Sequence, residues 1–409
     1  MIVKEYIKRF ERLGFGMYVH FGLYSVHAKG EWAFNRNITP EDYQPLFNRF
    51  NPDPDWASEL VATAKEAGCK YITITTRHHD GFSLYDTCGL TDYDAPHSAA
   101  GRDLIREFVD ACNDAGIVPF FYHTLLDWHV SSYRENFPEY LRYLRRSVEL
   151  LCTNYGKIGG IVFDGMWDKW DADWEEDALY GLIRKHQPEA MIINNTGLSK
   201  RGELGHMELD CATFERGRPF TVNQEGAAKH LAGEMSEIFA NHWGYAKRDF
   251  QYKSLVEIIE SLCVCRRYGA NLLLNVGPTG NGSLRLLDKA MLATLGEWVN
   301  IHKEALYLPS PTSIEIKGNA KDFLLRGDNC YYLFIHDLPM KGDPNVANTP
   351  AANPFADSFI LPERIRSVTW LDNGESIVFL QEGDKVTVSP APQIYGESLV
   401  VKVAKIELQ

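Results

Sequence analysis

The sequence of 409 residues predicts a TIM-like (β/α)8 barrel followed by a small antiparallel β-sandwich. Three observations point to this fold class. Short apolar runs alternate with amphipathic stretches along most of the chain, and polar residues stand at the ends of these runs. The last quarter instead alternates apolar and polar residues between Gly, Asn and Asp turns. We therefore expect a catalytic barrel at residues 1–308 and a sandwich at residues 309–409.

The expected barrel strands are β-branched or aromatic and apolar on both faces, as in parallel sheets that are buried on both sides. Seven such runs cover residues 14–22, 69–78, 117–124, 158–165, 190–196, 208–215 and 271–277. The remaining strand has the weakest pattern, and we place it at residues 234–239.

The stretches between these runs carry helix signals. Residues 55–68 and 101–116 each end on a glycine, and residues 254–269 begin with Ser254 and Glu257 in the spacing of a capping box. Repeated strand–helix units fit either an open doubly wound sheet or a closed barrel. The first strand is not followed by a glycine-rich phosphate loop, and polar residues recur at strand ends, which favours the barrel. These strand-end residues are His20, His78, His79, His123, Asp164, Asn194, Asn195, Glu215 and Asn275.

Charge and composition exclude several classes of protein. The chain has 42 Lys and Arg against 55 Asp and Glu, a net charge of −13, so neither nucleic acid nor an anionic membrane surface is an expected partner. No apolar run is long enough to span a bilayer, and the first residues lack the apolar centre of a secretion signal. The eight cysteines have no metal-type spacing and are expected as reduced thiols. We expect a cytoplasmic protein, and homo-oligomer formation stays open.

The most informative run is GGIVFDGMW, residues 159–167, which delivers Asp164 at the end of a strand between aromatic residues. Such a carboxylate can face a sugar and attack its anomeric carbon, although it can equally cap the next turn. Hydrolysis also needs a proton donor for the leaving oxygen. Residue type alone does not rank the candidates, which are Glu208, Asp210, Glu215, Glu225, Glu234 and Glu237.

Histidines and tryptophans form a second group of candidate site residues. Strand-end histidines can hydrogen-bond sugar hydroxyls or bind Zn²⁺, but no H-x-H or H-E-x-x-H spacing supports a metal. His78 and His79 are adjacent, so both can reach the barrel interior only if their strand has already ended. Tryptophans suited to stacking on sugar rings lie near the expected strand-end loops: Trp32, Trp128, Trp167, Trp170, Trp174 and Trp243.

These segments resemble glycoside hydrolase family 29, the α-L-fucosidases, over about residues 10–300. The similar motifs are FGMYVHFGLYS, GEW, TTRHHDGFSLYDT, the DW at residues 127–128, and NLLLNVGPTGNGSL. The resemblance implies double displacement with retention, without a metal or another cofactor. It assigns Asp164 as the nucleophile and points to Glu215, in DCATFE, as the acid/base, with Glu234 as the second choice. The sugar-binding residues it implies are His20, Glu31, Trp32, His78, His79, Tyr122, Trp128 and Trp243.

Two positions depart from the family pattern. Thr196 stands where many members have an arginine, and Val162 stands where many have a tryptophan. We therefore expect an exo-acting enzyme that removes terminal α-L-fucose from oligosaccharides or glycoconjugates, and the same chemistry on a related L-sugar such as an α-L-galactoside is the alternative. A metal-dependent barrel hydrolase that uses the histidines and a sugar-binding protein without catalysis are the competing hypotheses.

Overall fold

The computed structural model describes residues 2–36, 38–195, 205–341 and 356–409. Within them, eight parallel strands close into a barrel in the order of the sequence, and β1 pairs with β8. The barrel strands are β1 Phe15–Val19, β2 Tyr71–Arg77, β3 Val118–Thr124, β4 Gly160–Asp164, β5 Met191–Asn194, β6 Cys211–Thr213, β7 Ala232–Ile238 and β8 Ala270–Val276. The predicted fold class is confirmed, and the weakly patterned strand is β7, which begins two residues before the expected position.

Helices occupy the segments between the strands. In the described part of the chain they are α1 Glu5–Glu11, α2 Leu23–His27, α3 Ala33–Arg36, α4 Pro40–Tyr43, α5 Trp56–Glu66, α6 Leu104–Ala115, α7 Ser132–Glu135, α8 Phe137–Asn154, α9 Glu176–His186, α10 Leu255–Arg267 and α11 Leu286–Tyr307, with 3₁₀ turns at Gln44–Arg49 and Met166–Lys169. The capping box expected from the sequence is present in α10, where Ser254 accepts from the Glu257 amide and the Glu257 side chain accepts from the Ser254 amide. No described helix is both long and apolar enough to cross a membrane.

Apolar side chains fill the lower part of the barrel, near the start of the strands. Phe10 of α1 packs against Tyr71 and Phe120, each at a ring-centroid distance of 5.7 Å. Met191 and Leu273 belong to the same buried cluster. Because this end of the interior is packed, the space left inside the barrel lies towards the carboxyl ends of the strands.

The C-terminal strands are antiparallel. They are β9 Ser310–Pro311, β10 Phe323–Arg326, β11 Cys330–His336, β12 Asp357–Ile360, β13 Ile365–Trp370, β14 Val378–Glu382, β15 Lys385–Ser389 and β16 Val401–Leu408. One sheet has the order β13-β16-β11-β10-β9 and the other the order β12-β15-β14. Leu333 and Ile406 of the first sheet share a buried cluster with Val386 and Val388 of the second, as in a sandwich.

The chain divides into two compact units. The first comprises Met1–Lys253 and Ala270–Ala293, and the second comprises Ser254–Gly269 and Thr294–Gln409. The domain boundary between residues 308 and 309 therefore stays a prediction. All eight cysteines are free thiols, and only Cys88 is exposed.

Candidate active site

A cavity of about 290 Å³ opens at the carboxyl ends of the barrel strands. Its lining combines three carboxyl groups with histidines, other polar side chains and aromatic rings. The lining residues are Tyr18, His20, Trp32, His78, His79, Tyr122, Val162, Asp164, Trp167, Asn195, Thr213, Glu215, Glu234, Ser236, Trp243 and Leu273. Its volume lies at the lower end of the range for small-molecule sites and suits one sugar ring.

Asp164 is the last residue of β4, and four side chains surround its carboxylate. Its Oδ2 accepts a hydrogen bond from Tyr122 Oη at 3.1 Å and lies 3.5 Å from His79 Nε2. Its Oδ1 accepts from Trp167 Nε1 at 3.4 Å and from Asn195 Nδ2 at 3.3 Å. Burial by itself would raise the pKa of Asp164, but His79, Tyr122 and Trp167 together hold that pKa below the usual value of an aspartate. Asp164 is therefore ionised at neutral pH.

The turn after Asp164 requires a glycine. Gly165 has φ +97°, and a Cβ atom at this position would lie 2.6 Å from Leu126 Cβ. The chain then enters the 3₁₀ turn Met166–Lys169, which brings the Trp167 ring back to the carboxylate. The sequence Asp-Gly-Met-Trp thus folds the strand end so that Asp164 faces the cavity.

Glu215 is linked to Asp164 through one side chain. Asn195 Nδ2 donates to Glu215 Oε2 at 2.5 Å and to Asp164 Oδ1 at 3.3 Å, while Thr213 Oγ1 donates to Asn195 Oδ1 at 3.3 Å. Two carboxylate oxygens that share one amide nitrogen must lie close together. This arrangement fits the separation of about 5–5.5 Å in retaining glycosidases better than the about 6.5–9.5 Å of inverting ones.

Glu234 is a third carboxyl group at the cavity wall, and it lies deeper. It projects from within β7, is 4% exposed, and its Oε2 accepts from Tyr71 Oη at 2.6 Å. Burial raises the pKa of Glu234 to about 7, although the Tyr71 hydrogen bond opposes this shift. Glu234 is therefore largely protonated at pH values somewhat below neutral.

The histidines reach the cavity because β2 ends at Arg77. The chain then turns, with the Gly81 amide donating to the His78 carbonyl, so both His78 and His79 line the cavity. His20 is paired through Nδ1 with Asn275 Oδ1 at 2.6 Å. Burial lowers the pKa of His20 to about 3 and also lowers that of His78, so both rings are neutral and suited to hydrogen bonds with hydroxyls.

A protein metal site needs several His, Cys, Asp or Glu side chains around one point. Among the described residues, no three His, Cys, Asp or Glu side chains come together as metal ligands would. His20 and His78 instead pack ring against ring, with centroids 5.5 Å apart. The carboxylates of Asp164 and Glu215 instead share the side-chain amide of Asn195.

The chain is similar to the members of one protein family. Residues 3–304 match the family model described as alpha-L-fucosidase. The chain belongs to the α-L-fucosidase family. It is therefore a glycoside hydrolase of the α-L-fucosidase type.

Individual relatives agree with this assignment. The chain is 29% identical to α-L-fucosidase isoenzyme 1 from Paenibacillus thiaminolyticus, with a TM-score of 0.84 and 99% of each chain covered. It is 27% identical over 360 residues to the tissue α-L-fucosidase of Bos taurus, which covers 80% of this chain and 74% of that protein. The tissue α-L-fucosidase of Homo sapiens is 26% identical over 365 residues, covering 80% and 75%.

Of the site residues that the family resemblance implies for this α-L-fucosidase family member, all but two line the cavity. Glu31 is 5% exposed, and its Oε2 accepts from the Gly244 amide at 2.8 Å. Trp128 packs against two lining residues, with its ring centroid 5.0 Å from that of Trp32 and 5.3 Å from that of His79. Direct contact of Glu31 and Trp128 with a sugar stays a prediction. Thr196 lies outside the described residues.

Two other strand-end residues form hydrogen bonds outside the cavity. His123 lies within β3, is fully buried, and pairs through Nδ1 with Thr76 Oγ1 at 2.9 Å. Asn194 donates to Tyr180 Oη at 2.9 Å. Neither residue lines the cavity, because alternate residues of a strand face opposite sides and these two face the surrounding helices.

Sequence reasoning missed Tyr18 as a cavity residue, and it missed the role of Asn195. Tyr18 precedes His20 by two positions in β1, and its ring lies 4.6 Å from the His20 ring. The alternation of a strand places both on one face, so this signal was available. The role of Asn195 as the bridge between Asp164 and Glu215 had no local signal, since it depends on where β4 and β6 lie relative to β5.

Proposed function

We propose that this protein is a retaining exo-α-L-fucosidase in which Asp164 is the nucleophile and Glu215 the acid/base. The observation that carries this proposal is the shared amide of Asn195, which holds the two carboxylates beside each other. The site volume of one sugar ring supports exo action on a terminal fucose. Ionised Asp164 is ready to attack, as a nucleophile requires.

The reaction has two steps. In the first, an Asp164 oxygen bonds to C1 of the fucose while the bond from C1 to the leaving oxygen breaks, and Glu215 gives its proton to that oxygen. In the second step, a water molecule gives a proton to Glu215 and the oxygen of that water bonds to C1. The bond from C1 to the Asp164 oxygen breaks at the same time, which frees the carboxylate. The two inversions at C1 give net retention. The fucosidase structure from Bacteroides thetaiotaomicron, which shares the fold at a TM-score of 0.82 and 23% identity, contains a trapped covalent intermediate formed with 2-fluoro-fucosyl fluoride.

The neutral rings of His20 and His78 would hydrogen-bond the hydroxyls of the fucose, and Trp32 and Trp243 would contact its apolar faces. His79 holds Asp164 through Nε2 and pairs through Nδ1 with Thr124 Oγ1 at 2.7 Å. His79 therefore orients the nucleophile as well as lining the sugar site. The substrate class is a fucosylated oligosaccharide or glycoside.

We also propose a cytoplasmic location. Seven buried free thiols and the absence of a disulfide among the eight cysteines are typical of proteins from a reducing compartment. The enzyme would then act on small oligosaccharides that have been imported.

The experiment that tests the carboxylate roles uses 4-nitrophenyl α-L-fucoside and sodium azide. Asp164→Ala should lower kcat/KM by about three orders of magnitude or more, and azide should then give the β-L-fucosyl azide by direct displacement. With Glu215→Gln, azide should instead capture the intermediate and give the α-L-fucosyl azide. Glu234→Gln is the matched control and should form neither azide. If Glu234→Gln rather than Glu215→Gln forms the α-L-fucosyl azide, Glu234 is the acid/base.

The competing hypotheses give different results in the same assay. Loss of activity with EDTA would favour a metal-dependent hydrolase, and tight fucose binding without turnover would favour a sugar-binding protein. Faster hydrolysis of the 4-nitrophenyl α-L-galactoside than of the fucoside would show that the enzyme prefers the related L-sugar. Val162, which lines the cavity, would then be the first residue to substitute.

A further inference from the structure

The loop after the nucleophile carries a second tryptophan, which is exposed. Trp167 lines the cavity and donates to Asp164, and Trp170 comes three residues later. Trp170 is 82% exposed. A lone exposed tryptophan is common on protein surfaces, so its exposure alone assigns it no role.

The backbone path places the Cβ atoms of Trp167 and Trp170 on one face of the turn. Met166–Lys169 is a 3₁₀ turn, and Trp170 continues that path with φ −62° and ψ −22°. In a 3₁₀ turn, side chains three residues apart eclipse each other, at a rise of about 2 Å per residue. Trp170 is therefore displaced from Trp167 by about 6 Å along the turn axis, a distance comparable to one pyranose ring.

The loop that carries Trp170 is held in place by its other residues. Asp168 accepts from Tyr133 Oη at 2.7 Å, and the Lys169 carbonyl accepts from Trp174 Nε1 at 3.0 Å. The Lys169 ammonium lies 5.0 Å from the Tyr133 ring centroid. Because these contacts fix the loop, binding of a partner to the exposed Trp170 indole would cost little further conformational entropy of the loop.

We infer that Trp170 is a stacking platform for the sugar ring next to the fucose, and so selects substrates whose leaving group is a sugar ring. This inference rests on the proposed function. Trp167 would contact the fucose at the cavity wall, and the eclipsed Trp170 would contact the apolar face of the leaving ring as it projects from the cavity. Trp170 takes no part in bond breaking.

The test compares Trp170→Ala on two substrates. α-L-Fucosyl fluoride has no ring beyond the fucose, so its kcat/KM should be unchanged. For a fucosyl-N-acetylglucosamine disaccharide, kcat/KM should fall about tenfold, chiefly through KM. Trp170→Phe should restore most of the loss, because a phenyl ring also stacks on sugars. Phe250→Ala, which removes another aromatic ring that is 80% exposed, is the control and should affect neither substrate.

The outcomes separate the two proposals. Equal losses on both substrates would mean that Trp170 acts through the Trp167 loop, and no loss on either would mean that it does not contact the leaving group. Each result overturns the inference and leaves the proposed function intact. A wild-type enzyme that is inert on α-L-fucosyl fluoride would overturn the proposed function itself.

Discussion

Two carboxyl groups in the same cavity have opposite pKa shifts, and the difference comes from their neighbours. Asp164 lies among Tyr122, Trp167 and His79, which stabilise its charged form and lower its pKa despite burial. The carboxyl group of Glu234 has only Tyr71 as a hydrogen-bond partner among the described residues, and burial raises its pKa to about 7. A nucleophile must be ionised, so the environment of Asp164 suits that role and the environment of Glu234 does not.

The hydrogen bond from Tyr122 to Asp164 should influence how kcat/KM depends on pH. Because the Tyr122 hydrogen bond lowers the pKa of Asp164, Tyr122→Phe should raise that pKa. The acid limb of the kcat/KM profile reports ionisation of the nucleophile in the free enzyme, so it should move to higher pH by the same amount.

The control for this measurement is Tyr71→Phe, which removes the hydroxyl that bonds Glu234 and leaves Asp164 with all its partners. Its acid limb should coincide with that of the wild type. An unmoved limb in Tyr122→Phe would show that the acid limb belongs to a group other than Asp164.

At the scale of elements, the ends of strands decide which side chains reach the cavity. β2 ends at Arg77, and the following turn lets two adjacent histidines face the same space. β6 ends at Thr213, and Glu215 follows two residues later on the cavity side. β4 ends at Asp164 itself and is followed by the left-handed Gly165.

Gly165→Ala should therefore disable the enzyme without unfolding it. The added Cβ would lie 2.6 Å from Leu126 Cβ and 2.9 Å from its amide nitrogen, at φ +97°. Relief of that clash must move the end of β4, and a displacement of about 1 Å at the nucleophile can cost about a hundredfold in rate. We expect kcat/KM on 4-nitrophenyl α-L-fucoside to fall by about that factor, with an unchanged circular dichroism spectrum.

Gly156→Ala is the matched variant for this experiment. Gly156 also has a positive φ, +72°, but an added Cβ would have no atom within 4 Å. It should lose about 1 kcal/mol of stability to backbone strain and retain full activity. Equal activity in the two variants would show that catalysis does not depend on the backbone geometry at Gly165.

At the scale of the whole molecule, buried acids in both units make stability depend on pH. The first unit contains the buried carboxyl group of Glu234. The second unit contains those of Asp322 and Asp357, which are each 2% exposed. Burial raises the pKa of Asp322 to about 7 and, together with the charge of Asp322, raises that of Asp357 to about 8. His336 donates its amide to Asp322 at 2.7 Å, but each carboxyl keeps one buried oxygen without a partner.

The sign of this dependence follows from the raised pKa values. An acid whose pKa is higher in the folded state contributes its full stability below the unfolded pKa, near 4, and loses it as pH rises through 7 to 8. Asp357→Asn imitates the protonated form. The variant should therefore lose less stability than the wild type between pH 5 and pH 9, by on the order of 3 kcal/mol in urea unfolding.

Asp384→Asn, at an exposed position of the same unit, should follow the wild-type profile at every pH. Parallel profiles for Asp357→Asn and the wild type would show that Asp357 titrates normally in the folded protein.

The sequence by itself determined the strand–helix order, the position of each barrel strand to within a few residues, and the motifs that imply the family. These features are local: the strand period, the glycines at helix ends and the capping box at Ser254 are set by neighbouring residues. Asp164 could also be singled out, because a strand-end aspartate between aromatic residues is visible in the sequence.

Only the tertiary structure decided how these residues meet. Asn195 joins Asp164 to Glu215 because barrel closure places β5 between β4 and β6, and no local pattern specifies that meeting. Glu31 and Trp128 are not in the cavity lining for a similar reason, since their partners, the Gly244 amide and the Trp32 ring, come from distant segments. Distances across the barrel depend on strand order and tilt, whereas a sequence pattern reports only which face of its own element a residue occupies.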